Sequence, residues 1–369
     1  MEGNIKQNQL SVIQFILSIS VALFVFLWSL DLMTGTFHVI GNETVIKILS
    51  ITSNPFISLF IGLFITAVIQ SSSTSTSLIV AVVASGGMTL ENAVPMIMGA
   101  NIGTTLTSTI VSLSYITDNK AFKNAIATGV MHDFFNIMTV MILFPLEYYY
   151  HLLSKLSTSV ASIFNLSNIP TKTGQDSSSG LFDIINGFLI KSIDYKIILV
   201  LIACATLFAS IKIISKIISK RMIGASDERF QEVFFKRKLN SFGLGTMLTA
   251  GIQSSSITTS IIVSLGATGK VQQSKIFPYI VGANIGTTIT ALIAAFNKSE
   301  AALSIALVHF LFNLIGTLIF LLIPYLRQLP IYYARKFGFM TMQYKVIGFF
   351  YILFVFFILP LALIFLNKL

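Results

Sequence analysis

Two stretches decide the fold: Ile69-Gln70-Ser71-Ser72-Ser73-Thr74-Ser75-Thr76-Ser77 and, in the second half of the chain, Ile252-Gln253-Ser254-Ser255-Ser256-Ile257-Thr258-Thr259-Ser260. Each lies inside an otherwise apolar run, 55–84 in the first case and 242–267 in the second. A second interrupted run follows each. Residues 89–113 hold Gly99-Ala100-Asn101-Ile102-Gly103-Thr104-Thr105, and 274–296 hold Gly282-Ala283-Asn284-Ile285-Gly286-Thr287-Thr288. Gln70 and Gln253, Pro95 and Pro278, and Asn101 and Asn284 share one offset in the numbering, and 62–107 matches its second copy at 24 of 46 positions. A fixed offset with identity concentrated in polar segments is the mark of an internal duplication.

The rest of the chain sets the solvent. Of 369 residues 54% are hydrophobic and 10% charged, where soluble domains carry about 25% charge. A cytosolic enzyme, a nucleic-acid binder and a disordered tail are excluded. The basic residues separate apolar runs near the ~20 residues that cross a bilayer. Such runs cover 11–33, 121–148, 195–214, 301–326 and 346–366, besides the interrupted ones. The first reads as a retained helix. One cysteine, Cys204, rules out a disulfide framework and a cysteine-built metal cluster. No transition metal and no organic cofactor are expected.

The reading is an all-α membrane protein of two inverted-topology repeats. Each has a re-entrant Gln-Ser-Ser-Ser hairpin and a broken transmembrane helix, and one extra C-terminal helix follows. The divisions are 1–150 for repeat 1, 151–189 for an extracellular linker, 190–326 for repeat 2 and 327–369 for the added helix. Parity supplies the inversion. With a hairpin that enters and leaves on one side, each copy crosses three times, so the second copy starts on the opposite face. A cytoplasmic N-terminus then places 17 of 24 Lys and Arg inside, as the positive-inside rule requires. The segment 171–180 reads as a flexible linker, and the basic stretch 216–238 as a topology signal contacting anionic headgroups.

Polar breaks within apolar runs imply a site. Backbone amides have no partners in lipid, so irregular backbone at membrane depth must be buried in protein or line a wet cavity. A helix that starts at a break points N–H groups at the cavity and suits anions; one that stops there points carbonyls and suits Na⁺. Ser and Thr also serve as interhelical packing residues, which is the plain reading of Ser75, Thr76 and Ser77. Asp133 stands within an apolar run, where a charge is costly and usually functional. His132 and Asn136, like His309 and Asn313, are four apart and share a helix face. Cavity lining and interhelical hydrogen bonding both fit the histidines. Asp133 has no acidic counterpart, since the second copy reads His309-Phe310; this places a cation site on the first-copy side only. Asp118, at a helix end, is either a solvated loop residue or an ion ligand.

Paired Gln-Ser-Ser-Ser segments, each followed by a Gly-Ala-Asn-Ile-Gly-Thr-Thr segment, resemble the sodium–phosphate cotransporter family, the animal type II cotransporters and their bacterial relatives. The likeness covers about 10–325. It implies Na⁺-driven symport of inorganic phosphate by alternating access in the plasma membrane. Gln70, Ser71, Ser72, Ser73, Gln253, Ser254, Ser255 and Ser256 match the family's substrate-cavity motif and are the expected phosphate ligands. Asn101, Thr104, Thr105, Asp118, Asp133, Asn136, Asn284, Thr287 and Thr288 are the expected sodium ligands. Tyr115-Ile116-Thr117-Asp118 stands where animal members have Gln-Ala-Gly-Asp, so the Asp is kept and the Gln is not. His132-Asp133-Phe134-Phe135-Asn136 matches the segment whose Asp, in electrogenic members, is linked to a third sodium. The resemblance thus implies three Na⁺ per divalent phosphate. The expected partners are phosphate, sodium ions and the bilayer, with no nucleic acid.

Three other readings stay open on the residues alone. A carrier of another anion, such as a dicarboxylate, also uses two hairpins with hydroxyl-rich tips. A channel can be built from paired broken helices. An intramembrane hydrolase using a Ser and His132 lacks the Gly-x-Ser-x-Gly elbow.

Overall fold

The computed structural model describes residues 2–40, 54–163, 181–193, 195–222, 235–296 and 298–366. Among these, all regular structure is helical. In chain order the helices are α1 (Glu2–Ile40), α2 (Pro55–Ile69), α3 (Ser72–Ala84), α4 (Leu90–Gly103), α5 (Leu106–Leu113), α6 (Asn119–Tyr150), α7 (Leu152–Ile163), α8 (Leu181–Ser192) and α9 (Lys196–Met222). They continue with α10 (Lys238–Ile252), α11 (Ser255–Ala267), α12 (Gln273–Ala295), α13 (Glu300–Leu322), α14 (Pro324–Gln343), α15 (Val346–Leu353) and α16 (Leu359–Leu366). A π-helical turn, Phe354–Ile358, joins α15 to α16.

The protein is an all-α membrane protein. Among the described residues five helical segments are long and apolar enough to cross a bilayer: Leu90–Leu113, Asn119–Tyr150, Gln273–Ala295, Glu300–Leu322 and Val346–Leu366. At 15 and 13 residues, α2 and α3 fall short of the ~20 required, as do α10 and α11. The bounds of α10 and α11 are those of α2 and α3 displaced by the offset that separates Gln70 from Gln253.

Local chemistry explains the helix starts. Asn54 Oδ1 accepts the Phe56 N–H at 2.9 Å, with Pro55 at the first helical position. Asp118 Oδ1 accepts from Lys120 and Ala121 at 2.9 and 3.1 Å. Ser299 caps α13 through Ala302, and Glu300 sits in the positive first turn.

Close approach of backbones holds α2 against α4 and α10 against α12. A Cβ on Gly99 would lie 1.8 Å from the Leu59 carbonyl oxygen, and one on Gly282 would lie 2.2 Å from that of Phe242. Gly62 meets the Met96 carbonyl, and Gly245 meets that of Tyr279, in the same way. The contacts of the first copy recur in the second at the same offset. Here α2 packs on α4 as α10 packs on α12, with glycines four apart (Gly99 and Gly103, Gly282 and Gly286) letting the backbones touch.

That packing changes the reading of the Gly-Ala-Asn-Ile-Gly-Thr-Thr segments, where a broken transmembrane helix was expected. In the first copy the interruption is slight, the two residues Thr104 and Thr105 between α4 and α5. In the second there is none, for α12 runs unbroken through Gly282–Thr288. Side-chain hydroxyls account for the difference. Ser108 and Ser112 each hydrogen-bond the carbonyl three residues back, which tightens and bends a helix; Thr105 makes such a bond too, but so does its counterpart Thr288. Ser108 and Ser112 have Ala291 and Ala295 as second-copy counterparts.

Other differences lie outside the repeats. The proposed linker is helical over Leu152–Ile163. Its start is fixed by Glu147, whose carboxylate accepts the N–H groups of Leu153 and Ser154 and the Ser154 hydroxyl. The segment 171–180 and much of the basic stretch, 223–234, lie outside the described residues. The stretch between the last two apolar spans, to which no element was assigned, is α14. It lies on α6, with Gly338 against the Lys123 carbonyl and Phe134 between the Tyr333 and Phe337 rings. The core is aromatic where α6, α12 and α13 meet: Phe135 contacts Phe277 and Phe320 edge-on at 6.0 and 5.6 Å.

Candidate functional site

The two Gln-Ser-Ser-Ser segments are turns of the same build. Gln70 and Gln253 take the left-handed conformation, φ 55° and 54°. Each donates its N–H to a carbonyl four residues back, Thr66 and Thr249, at 2.7 Å. That conformation costs a non-glycine residue roughly 1–2 kcal/mol, and such strain gathers at functional sites. The next residue is extended (Ser71 φ −148°, Ser254 φ −146°) and caps the following helix, its Oγ accepting from Thr74 or Ile257. Ser72 and Ser255 are then the first residues of α3 and α11. The leading N–H groups of a helix have no intrahelical acceptor, so both turns present free donors and the positive end of a helix dipole.

The turns face each other. Ser73 Oγ donates to the Gln253 carbonyl at 3.4 Å, and Ser256 Oγ donates to the Gln70 carbonyl at 3.2 Å. Positions 73 and 256, like 70 and 253, are counterparts, so the contact is reciprocal. Thr107, on α5, adjoins Ser256 Oγ at 3.5 Å. Around the first turn the hydroxyls of Thr66, Ser72, Thr76, Ser77 and Thr104 are buried with no hydrogen-bond partner among the described residues. A buried polar group left unpaired costs about 1–3 kcal/mol. Thr249, the counterpart of Thr66, is instead satisfied by Thr258 at 2.8 Å. The unpaired hydroxyls therefore cluster on the first copy.

Behind the turns lies a buried amide network. His132 Nε2–H donates to Asn284 Oδ1 at 2.6 Å, and Asn284 Nδ2 donates to Asn136 Oδ1 at 2.9 Å. Asn136 Nδ2 donates to the Asn101 carbonyl at 2.6 Å, and Asn313 Nδ2 donates to Asn101 Oδ1 at 3.0 Å. Each half thus holds the asparagine of the other half's Gly-Ala-Asn segment. Among the described residues His132 and His309 both keep an unpartnered Nδ1, and His132 bonds an Asn across the halves.

Asp133 occupies a third position. It is fully buried, and Thr109 Oγ1 lies 3.2 and 3.0 Å from its two carboxylate oxygens. Tyr351 Oη donates to Oδ2 at 2.9 Å. Among the described residues no basic side chain pairs with it.

The structure thus brings both Gln-Ser-Ser-Ser turns together and ties Asn101, Asn136 and Asn284 into one network. Thr104 is buried and unpartnered among the described residues. Thr105, Thr287 and Thr288 donate to carbonyls of their own helices, which leaves oxygen lone pairs free to accept a cation. Asp118 stands apart: it is exposed and its Oδ1 caps α6. Sequence reasoning missed Thr107, Thr109 and Tyr351. Thr109 had a signal, because its counterpart is Leu292 just as that of Asp133 is Phe310.

A family model described as Na+/Pi-cotransporter matches residues 25–163 and 206–340. This chain belongs to that family. The hydrolase reading falls with it. Among curated relatives, human sodium-dependent phosphate transport protein 2B is 28% identical over 92% of this chain and 63% of its own length. Mouse sodium-dependent phosphate transport protein 2A is 30% identical over 92% of this chain and 65% of its own length. The chain therefore spans a little under two thirds of these relatives. No solved structure matches it.

Proposed function

We propose that this protein is a sodium-coupled symporter that imports inorganic phosphate, as HPO₄²⁻, by alternating access across the plasma membrane. The observation that carries the reading is the reciprocal contact of the two turns through Ser73 and Gln253 and through Ser256 and Gln70. Two helix N-termini and their serines converge there, the donor set that an oxyanion takes. Family membership and the names of the relatives support phosphate as the anion and Na⁺ as the coupling ion.

Charge supplies the coupling. The turns contain no Lys or Arg, and a dianion among neutral hydroxyls is poorly compensated away from water. Sodium ions bound nearby restore the balance, so anion and cations travel together. Asp133, Asn101, Asn136, Asn284 and the Thr hydroxyls of both Gly-Ala-Asn-Ile-Gly-Thr-Thr segments are the oxygens available to them, and Asp118 supplies one near the surface. Three Na⁺ with one dianion carry one net positive charge inward, worth about 2.3 kcal/mol per 100 mV. In this arrangement the N-terminus is cytoplasmic, and the short helix pairs α2–α3 and α10–α11 enter from opposite faces as re-entrant hairpins of two inverted repeats. Rocking of one half against the other breaks and remakes the reciprocal seryl contacts.

Radiolabelled phosphate uptake into proteoliposomes, with and without an inward Na⁺ gradient, tests the proposal. Gradient-driven accumulation is expected. Equal uptake in both conditions would overturn it, and competition by succinate would point to a dicarboxylate.

A further inference from the structure

The last helical segment contributes to the cation site. Residues 346–366 lie beyond the family-matched residues, which end at 340, and most of this helix faces outward. Tyr351 is an exception. Its hydroxyl reaches Asp133 Oδ2 at 2.9 Å, 218 residues away in sequence. Its ring is held by Phe337 of α14 at 4.8 Å and by Phe356 at 6.2 Å. Gly348, one turn before it, would place a Cβ 3.6 Å from Leu113 and 3.7 Å from Thr341, so α15 lies close against the ends of α5 and α14. The π-helical turn Phe354–Ile358 begins three residues later and resets the face that the rest of the helix shows to its neighbours; such turns are frequent at functional sites.

We propose that Tyr351 is a positioning residue for Na⁺ binding: its hydroxyl, with that of Thr109, fixes the plane of the Asp133 carboxylate and leaves the remaining lone pairs directed at the ion. A carboxylate offers about four acceptor positions. Thr109 spans both oxygens, Thr105 also reaches the group and Tyr351 takes one position on Oδ2, so rotation of the group is blocked while acceptor capacity remains. Hard cations take such oxygens. The inference rests on the symport reading, and the helix outside the duplicated halves thereby tunes a site inside the first.

The test is Na⁺-dependent phosphate uptake by the full chain in proteoliposomes, with the Na⁺ and phosphate half-saturation points measured separately. Tyr351→Phe keeps the ring contacts and removes the donor. It is expected to raise the Na⁺ half-saturation about tenfold, and to move the phosphate half-saturation at saturating Na⁺ less than twofold. In an Asp133→Asn background it adds nothing to the Na⁺ half-saturation. Tyr351→His retains a donor and restores most of the loss. Tyr344→Phe, at an exposed tyrosine, serves as the neutral control. If Tyr351→Phe does not fold, the pair Tyr351→His and Tyr351→Met carries the same comparison, donor against no donor. Lower protein yield or maximal rate with an unmoved Na⁺ half-saturation would overturn the inference and leave Tyr351 a packing residue. Native uptake that ignores Na⁺ would instead overturn the symport reading itself.

Discussion

Replacing Gly99 with alanine tests whether backbone contact between α2 and α4 positions the first turn. The added Cβ would sit 1.8 Å from the Leu59 carbonyl oxygen, 2.8 Å from its carbon and 2.8 Å from the Leu63 nitrogen. Ordinary contact starts at 3.4 Å, nearly twice the shortest of these distances, so the two helices must move apart. No flexible side chain is available to give way, because all three atoms belong to backbone. Overpacking of this kind costs about 1–3 kcal/mol. The displaced helix ends at Gln70, whose carbonyl accepts from Ser256 at 3.2 Å. A separation large enough to admit the Cβ carries that carbonyl out of hydrogen-bond range. The assay has two arms. Thermal melting in detergent should fall by several degrees for Gly99→Ala, and phosphate half-saturation should rise. Gly243→Ala, where an added Cβ meets nothing within 4 Å, should melt at or above the native temperature, since alanine outranks glycine in a helix by about 1 kcal/mol. Native melting and native uptake in Gly99→Ala would refute the close packing of α2 on α4.

Three further outcomes are expected. Asp133→Asn should abolish the transport current while some uptake persists, and at about 100 mV the loss of one charge per cycle lowers maximal accumulation about fiftyfold; a native current would refute the assignment. Ser72→Ala should weaken phosphate half-saturation by roughly tenfold, whereas Ser264→Ala, an exposed hydroxyl bonded to its own helix at Ser260, should leave it unchanged; equal effects would remove the first turn from the site. Asn284→Leu should lower the melting temperature, because it strands both His132 and Asn136 at about 1–3 kcal/mol per unpaired group; a native melt would mean the network carries no stability.

Much of this architecture was legible because duplication prints the same physical demand twice. Glutamine before three serines, at one offset, marked the two turns, and both adopt the same strained backbone. The glycines were visible but their use was not. A glycine that frees the backbone to bend and one that lets two helices touch look alike in sequence. The partner carbonyls, those of Leu59 and Phe242, belong to different helices from Gly99 and Gly282 and lie well upstream of them. Asp133 stood out as a carboxylate in an apolar run, yet its partner Tyr351 did not. It comes from a helix with no counterpart in the other copy, so no repeated pattern points to it. Asp118 matched the family pattern and sits at a helix start, where its oxygen is used as a cap. Helix α14 was not foreseen because it lacks a long apolar run; its stability comes from one face pressed on α6.

The symmetry of the molecule is uneven in a way that physical chemistry explains. At the turns the backbones of the two halves agree: nearly the same φ values, the same caps and the same reciprocal hydrogen bonds. In the proposed symporter an anion held between the two helix N-termini gains from both, so the mechanism asks the same geometry of both copies. Further along each half the copies part. Thr109 and Asp133 face each other in the first half, where Leu292 and Phe310 stand in the second. A second buried carboxylate at Phe310 would add another desolvation cost of several kcal/mol and would require its own donors, which Leu292 does not supply. The hydroxyl of Thr109 and the acid of Asp133 therefore occur together in one half, and neither occurs in the other. With the Asp133 carboxylate present in the first half only, the proposed movement of charge depends on that half, and exchanging Thr109 and Asp133 for leucine and phenylalanine should make transport electroneutral while both turns keep their contact.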